Sequence, residues 1–139
     1  MYKKIAIPIC FIMCCILPYG CTKNNSDQSR CIEVVNKIAD NEIVIPDSGI
    51  VKLPASYKDL SAGGIVYANK NTNRVAVAFK TWRGKGRNMR GFLYLTSPLQ
   101  PAEIKKNYYD QPYLHVGPAD LTLDGKIDDN CYKVSYGLD

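Results

Sequence analysis

Arg74-Val75-Ala76-Val77-Ala78-Phe79-Lys80-Thr81-Trp82 is the stretch on which the fold turns. Side chains alternate across a strand, so Val75, Val77 and Phe79 share one face, with Ala76, Ala78 and Trp82 on the other. Both faces are largely apolar, and a strand of that kind must be covered on both sides. The segment is therefore predicted to be the central strand of a sheet. The glycine-rich run 83–88 follows as a turn, and 89–96 reads as the returning strand. Upstream, Gly63-Gly64 opens a strand over 65–68, closed by the polar turn 69–73. Three strands joined this way form an antiparallel meander.

Outward from the meander the pattern weakens. Residues 42–45 and 50–53 read as strands flanking Pro46-Asp47-Ser48-Gly49, which is turn chemistry. Residues 54–60 read as a loop or one helical turn. Cys31, Val34, Val35 and Ile38 recur at helical spacing, and Glu33 and Lys37 form a favourable i, i+4 pair, predicting a short helix over 30–40 with Asp27 or Ser29 as its cap. Pro101 suits the first turn of a second short helix over 102–109. A strand over 113–116 and a closing hairpin with arms 121–123 and 131–136 complete the reading. The expected class is α+β or mainly β: a small antiparallel sheet, open or partly closed into a barrel, with one or two short helices.

A chain of 139 residues holds one such domain. Its 46% hydrophobic content excludes global disorder, and sparse Gly and Pro without sustained heptads exclude collagen-like and coiled-coil classes. The size disfavours a large cofactor enzyme.

The first residues have a different character. Tyr2-Lys3-Lys4 is short and positive, residues 5–17 are uncharged and mostly apolar, and Pro18-Tyr19-Gly20-Cys21 ends the run. That is the order of an export signal. About 13 apolar residues fall short of the roughly 20 that a membrane span needs. With Gly20 directly before Cys21, the segment resembles a bacterial lipoprotein signal peptide, although Leu17 sits one place early and Pro18 and Tyr19 depart from the pattern. The resemblance covers residues 1–21 only. It implies a leader over 1–20, removed on export, and lipid attached to Cys21 as the first residue of the mature chain. Residues 21–29, with no apolar side chain after Cys21, then read as a flexible tether, and 30–139 as the globular domain. The implied location is the bacterial cell envelope. Thr22, in place of Asp, favours the outer membrane if the cell is Gram-negative.

Under that reading Cys10, Cys14 and Cys15 leave with the leader and Cys21 takes lipid, so two of the six cysteines remain. Cys31 and Cys131 then suggest one disulfide between the first helix and the last strand, with two unpaired buried thiols as the alternative. Closing a loop of about 100 residues is worth roughly 4–5 kcal/mol in the chain-entropy model. A metal centre has little support, since His115 is the only histidine and no Cys-x-x-Cys occurs.

Three constellations bear on function. Arg83, Lys85, Arg87 and Arg90 load one glycine-rich turn with cations, a candidate anion site in which backbone N–H groups and guanidinium forks act together. The alternative is a solvated hairpin turn. Charge is bipolar along the chain: residues 60–102 carry seven basic and no acidic residues, and 110–139 carry six acidic and two basic. Second, residues 120–131 resemble an EF-hand or dockerin calcium loop. Asp120, Asp124 and Asp128 take ligand positions, Gly125 and Ile127 match, while Thr122 and Cys131 depart at positions three and twelve. A hairpin turn on Asp124-Gly125 is the competing reading. Third, Tyr108, Tyr109, Tyr113, Tyr132 and Tyr136 cluster late in the chain, as a contact surface or as half-buried packing on a sheet.

No catalytic residues or cofactor are assigned. The expected function is a non-enzymatic binding or structural module of the envelope. It is membrane-tethered through lipid, with an anionic envelope component or a protein as partner and no nucleic acid. Two rivals are an inhibitor or immunity protein against a secreted hydrolase, and a small hydrolase using a pair drawn from Glu103, Asp110, Asp120, Asp124, Asp128 and Asp129.

Overall fold

The structure is a computed structural model that describes residues 25–83 and 89–136; the leader and Cys21 lie outside them. Among the described residues, a helix, α1 (Asn25–Ala39), packs on a sheet of eight strands: β1 (Ile50–Lys52), β2 (Ile65–Lys70), β3 (Val75–Arg83), β4 (Met89–Leu95), β5 (Lys105–Lys106), β6 (Pro112–Val116), β7 (Ala119–Asp128) and β8 (Cys131–Tyr136). Short 3-10 segments lie at Ala55–Leu60, Ala62–Gly64 and Pro101–Glu103. Every pairing is antiparallel, in the order β1-β2-β3-β4-β8-β7-β6-β5. The fold is mainly β, a single antiparallel sheet curled into a half-barrel.

β3 lies inside the sheet between β2 and β4 and is covered on both sides, as its two apolar faces require. Val75, Val77 and Phe79 meet Cys31, Val34, Val35 and Ile38 of α1 in an outer core, joined by Val51, Leu53, Val66 and Tyr94. Ala76 and Ala78 face the hollow of the curl, where Leu93, Val116, Leu121 and Val134 fill the inner core. A concave surface leaves less room per residue, so alanines on the inside and larger side chains on the outside suit the curvature. All four residues of the α1 stripe are at most 4% exposed. At about 1.5–3 kcal/mol for each large aliphatic side chain, that burial holds the helix to the sheet.

Curling brings the end of β2 against the β6–β7 turn. Asn69 Nδ2 donates to the His115 carbonyl at 2.7 Å, and the Gly117 N–H donates to Asn69 Oδ1 at 2.7 Å. The side-chain amide thus bonds both ways like a piece of strand, between segments more than 45 residues apart. Gly49 and Gly117, at φ 72° and 57°, meet backbone to backbone beside it, and a Cβ on Gly49 would lie 2.4 Å from Gly117 Cα. A second close approach joins β3 and β4. A Cβ on Gly91 would lie 1.9 Å from the Phe79 carbonyl oxygen, next to the bulge between Lys80 and Trp82.

Several local expectations are corrected. α1 begins at Asn25, so residues 25–29, read above as tether, are helical; Asp27 sits in the first turn, where a carboxylate favours the helix N-terminus, rather than capping from outside. Residues 42–45 are not a strand. Asn41 takes a left-handed φ of 61°, and the Glu42 and Ile43 N–H groups bond back to the Lys37 carbonyl, so this segment closes the helix C-terminus instead. No helix spans 102–109. Glu103 turns back to accept from the Gln100 N–H at 2.7 Å and grips Arg74, ending the 3-10 turn, and the chain leaves as β5. Asp124-Gly125 is not the hairpin turn; β7 runs on through a register shift between Leu123 and Gly125, and the chain reverses at 129–130. The Cys31–Cys131 disulfide is not formed. Cys31 is a free, buried thiol against which Tyr94 bonds, and Cys131 is engaged with a partner of its own.

Candidate functional site

Of the four cations proposed as an anion site, only Arg83 and Arg90 belong to described strands. Arg83 ends β3 by its backbone, its side chain and residues Lys85 and Arg87 lie outside the described residues, and Arg90 is exposed on β4 opposite Ser135 of β8. Beside Arg90 a groove of about 530 Å³ opens, lined by Thr81, Arg90, Phe92, Asp124, Lys133 and Ser135 among others, and by no residue of α1. Strand alternation puts Lys133 and Ser135 on one face of β8, opposite to the inner-core residues Tyr132 and Val134. The groove is therefore the part of the outer sheet face that the helix leaves uncovered.

Its chemistry is mixed. Arg90 and Lys133 supply two positive charges, and Thr81 and Ser135 supply hydroxyls. Ser135 Oγ donates to Asp124 Oδ1 at 3.1 Å, and Thr81 Oγ1 donates to the Arg90 carbonyl at 3.4 Å. Asp124 cancels one charge, which leaves a net positive lining. Such a groove suits a phosphate or carboxylate group on an extended molecule, reached by a guanidinium fork on one side and an ammonium on the other. Sequence reasoning found Arg90 but missed Lys133, which reaches the groove only through the pairing of β4 with β8.

The calcium reading is overturned by the same topology. Asp120, Asp124 and Asp128 lie along β7, and at about 3.3 Å per residue each is about 13 Å from the next along the strand. Calcium ligands must all lie within about 2.6 Å of the ion, so the three cannot converge. Each is instead used locally: Asp120 meets His115 Nδ1 at 2.7 Å, Asp124 takes the Ser135 hydroxyl, and Asp128 accepts from the Asn130 N–H at 2.7 Å to shape the turn. Among the described residues, no group of three or more His, Cys, Asp or Glu side chains is placed to hold a metal.

The other carboxylates considered for hydrolysis are likewise each engaged by a local partner. Glu103 forms a two-pronged pair with Arg74 at 2.6 and 2.9 Å, and Arg74 also binds the Ser97 and Pro98 carbonyls. The Arg74 hydrogen bonds, then that from the Gln100 N–H, pull the Glu103 carboxyl down to about 2. Asp110 pairs with Lys106 at 3.2 Å and Asp129 with Lys126 at 2.8 Å. His115 lies at the rim of a hollow of about 260 Å³ with Asn69, Asn71, Arg74, Ala76, Glu103, Lys105 and Leu114, a lining without Ser, Thr or Cys. The tyrosines divide: Tyr132 is buried, Tyr113 and Tyr136 are half-buried, and Tyr108 and Tyr109 are exposed.

Comparison with family models, with curated proteins and with solved structures finds no match for the chain. Among the described residues, no helix is long and apolar enough to cross a membrane.

Proposed function

We propose that the protein is an exported bacterial envelope lipoprotein, anchored through lipid on Cys21, whose domain is a non-enzymatic module binding an anionic envelope component. The observation that carries the binding reading is the groove across β3, β4, β7 and β8, where Arg90 and Lys133 flank two hydroxyls on the part of the outer face that α1 does not cover. Arg83, Lys85 and Arg87 add three cations in sequence next to it. The anchor rests on the leader pattern of residues 1–21. The spread of the carboxylates over separate local partners favours binding over two-carboxylate hydrolysis, which needs its pair roughly 5–10 Å apart across one cleft.

Two measurements test the reading. Cys21→Ser is expected to move the protein from the membrane to the soluble fraction, and unchanged membrane retention rejects the lipid anchor. In that soluble background, Arg90→Ser with Lys133→Ser is expected to weaken salt-sensitive binding to anionic vesicles or to a phosphate-rich polymer such as teichoic acid. Identical binding rejects the groove.

A further inference from the structure

Tyr108 and Tyr109 are 96% and 67% exposed, the most exposed adjacent pair of large side chains with apolar bodies among the described residues. Their rings pack edge to face, 5.3 Å between centroids and 87° between planes. They sit on the tip of the β5–β6 hairpin, and that tip is held in one shape. Asn107 Oδ1 accepts from the Tyr109 N–H at 2.9 Å and the Gln111 N–H at 3.0 Å, and Asp110 takes a left-handed φ of 61°. The Asn107 N–H reaches the Gln111 carbonyl at 3.0 Å, and the Asp110 N–H the Asn107 carbonyl at 3.0 Å. The rings are thus presented on a pre-ordered turn, with little conformational freedom left to lose on contact.

We infer that this tip is a carbohydrate-contact site, in which the open face of Tyr108 stacks on the apolar C–H face of a pyranose ring in a β-1,4-linked glycan. Tyr109, perpendicular to it, walls one edge of the sugar. Polar groups able to meet equatorial hydroxyls stand on the same hairpin: the Asp110 carboxylate, the Lys106 ammonium bonded to it at 3.2 Å, and the exposed Gln111 amide, whose oxygen accepts from Asn107 Nδ2 at 3.3 Å. A lipid bilayer fits the tip less well. Bilayer-binding basic segments carry about four to eight Lys or Arg. Here Lys105 and Lys106 are offset by Asp110 in the turn itself, where it would face anionic headgroups. The inference does not depend on the groove at Arg90 and Lys133 or on the lipid anchor.

The test uses the full chain carrying Cys21→Ser, so that no lipid contributes to retention. Its probes are insoluble β-1,4-N-acetylglucosamine polymer, cellulose and anionic phospholipid vesicles, read by co-sedimentation. Expected is retention on at least one polysaccharide, reduced about tenfold or more by Tyr108→Ala with Tyr109→Ala, and kept by the double Phe variant, because the ring face carries the contact. Both residues are exposed, so circular dichroism and thermal unfolding should not change. No retention on either polysaccharide, or equal retention of the double alanine variant, overturns the inference. So does a tyrosine-dependent interaction with the vesicles alone.

Discussion

Replacing Asn69 by Ala should open the seam of the half-barrel. The substitution removes two hydrogen bonds of 2.7 Å, one donated to the His115 carbonyl and one accepted from the Gly117 N–H. Each such bond contributes about 1 kcal/mol net, and a backbone group left without a partner costs about 1–3 kcal/mol more where water cannot reach it. Gly117 is only half-buried, so water can satisfy part of the loss. The expected destabilisation is about 2–3 kcal/mol, a fall in melting temperature of roughly 10 °C for a domain of this size. Asn69→Asp separates the two bonds. It keeps an acceptor for Gly117 but sets a carboxylate oxygen against the His115 carbonyl, so it should cost at least as much as Ala. Urea unfolding gives the free energies, and native-state hydrogen exchange reports the Gly117 amide directly. A loss under 0.5 kcal/mol together with an unchanged Gly117 exchange rate would refute the reasoning, because the seam would then be held by the glycine contact alone.

Glu103→Gln should remove an acid-sensitive part of the stability. The folded carboxyl titrates near 2, below its ordinary 4.5, so the clamp on Arg74 is fully present above about pH 5 and is lost as pH falls from 4.5 toward 2. The wild-type and Gln unfolding curves should therefore converge in that window; a constant offset down to pH 2 would count against the clamp. The Cys31 thiol, pushed up to about 12 chiefly by burial, should resist alkylation in the native protein and label in denaturant. Fast native labelling of the peptide containing Cys31 would mean that the α1 interface opens. Gly91→Ala should prevent accumulation of folded protein, since its Cβ would overlap the Phe79 carbonyl. A soluble, cooperatively unfolding variant would show that β3 and β4 can move apart. Ile38→Ala, at a side chain 1% exposed, should cost about 2–4 kcal/mol.

What could be read from the sequence was what local pattern controls. The alternation of 74–82 fixes a covered strand, and the Cys31-Val34-Val35-Ile38 stripe fixes the buried side of α1, because periodicity reports burial directly. The misreadings share a cause. Residues 42–45 have the composition of a strand, but Asn41 spends them on closing the helix. Asp124-Gly125 has turn chemistry, but a strand can absorb it as an irregularity when the hydrogen-bonding partner continues on both sides. The pairing of Cys31 with Cys131 depended on a distance that no spacing encodes. Asn69 and Lys133 gave no signal at all, since their roles exist only after strands distant in sequence are brought side by side. The tyrosine cluster was visible as composition, yet only the fold separates the packed rings of Tyr132 and Tyr136 from the displayed pair.

Leaving the barrel unclosed creates a hazard of its own. The two outermost strands, β1 and β5, keep unsatisfied backbone donors and acceptors that another chain could extend into an intermolecular ribbon. Both are cut to three and two residues, and Lys52, Lys105 and Lys106 stand exposed along them. So short a template, fringed with ammonium groups, gives an incoming strand little to zip onto and a like charge to meet. Among the described strands, the open edges are thus poor seeds for edge-to-edge pairing.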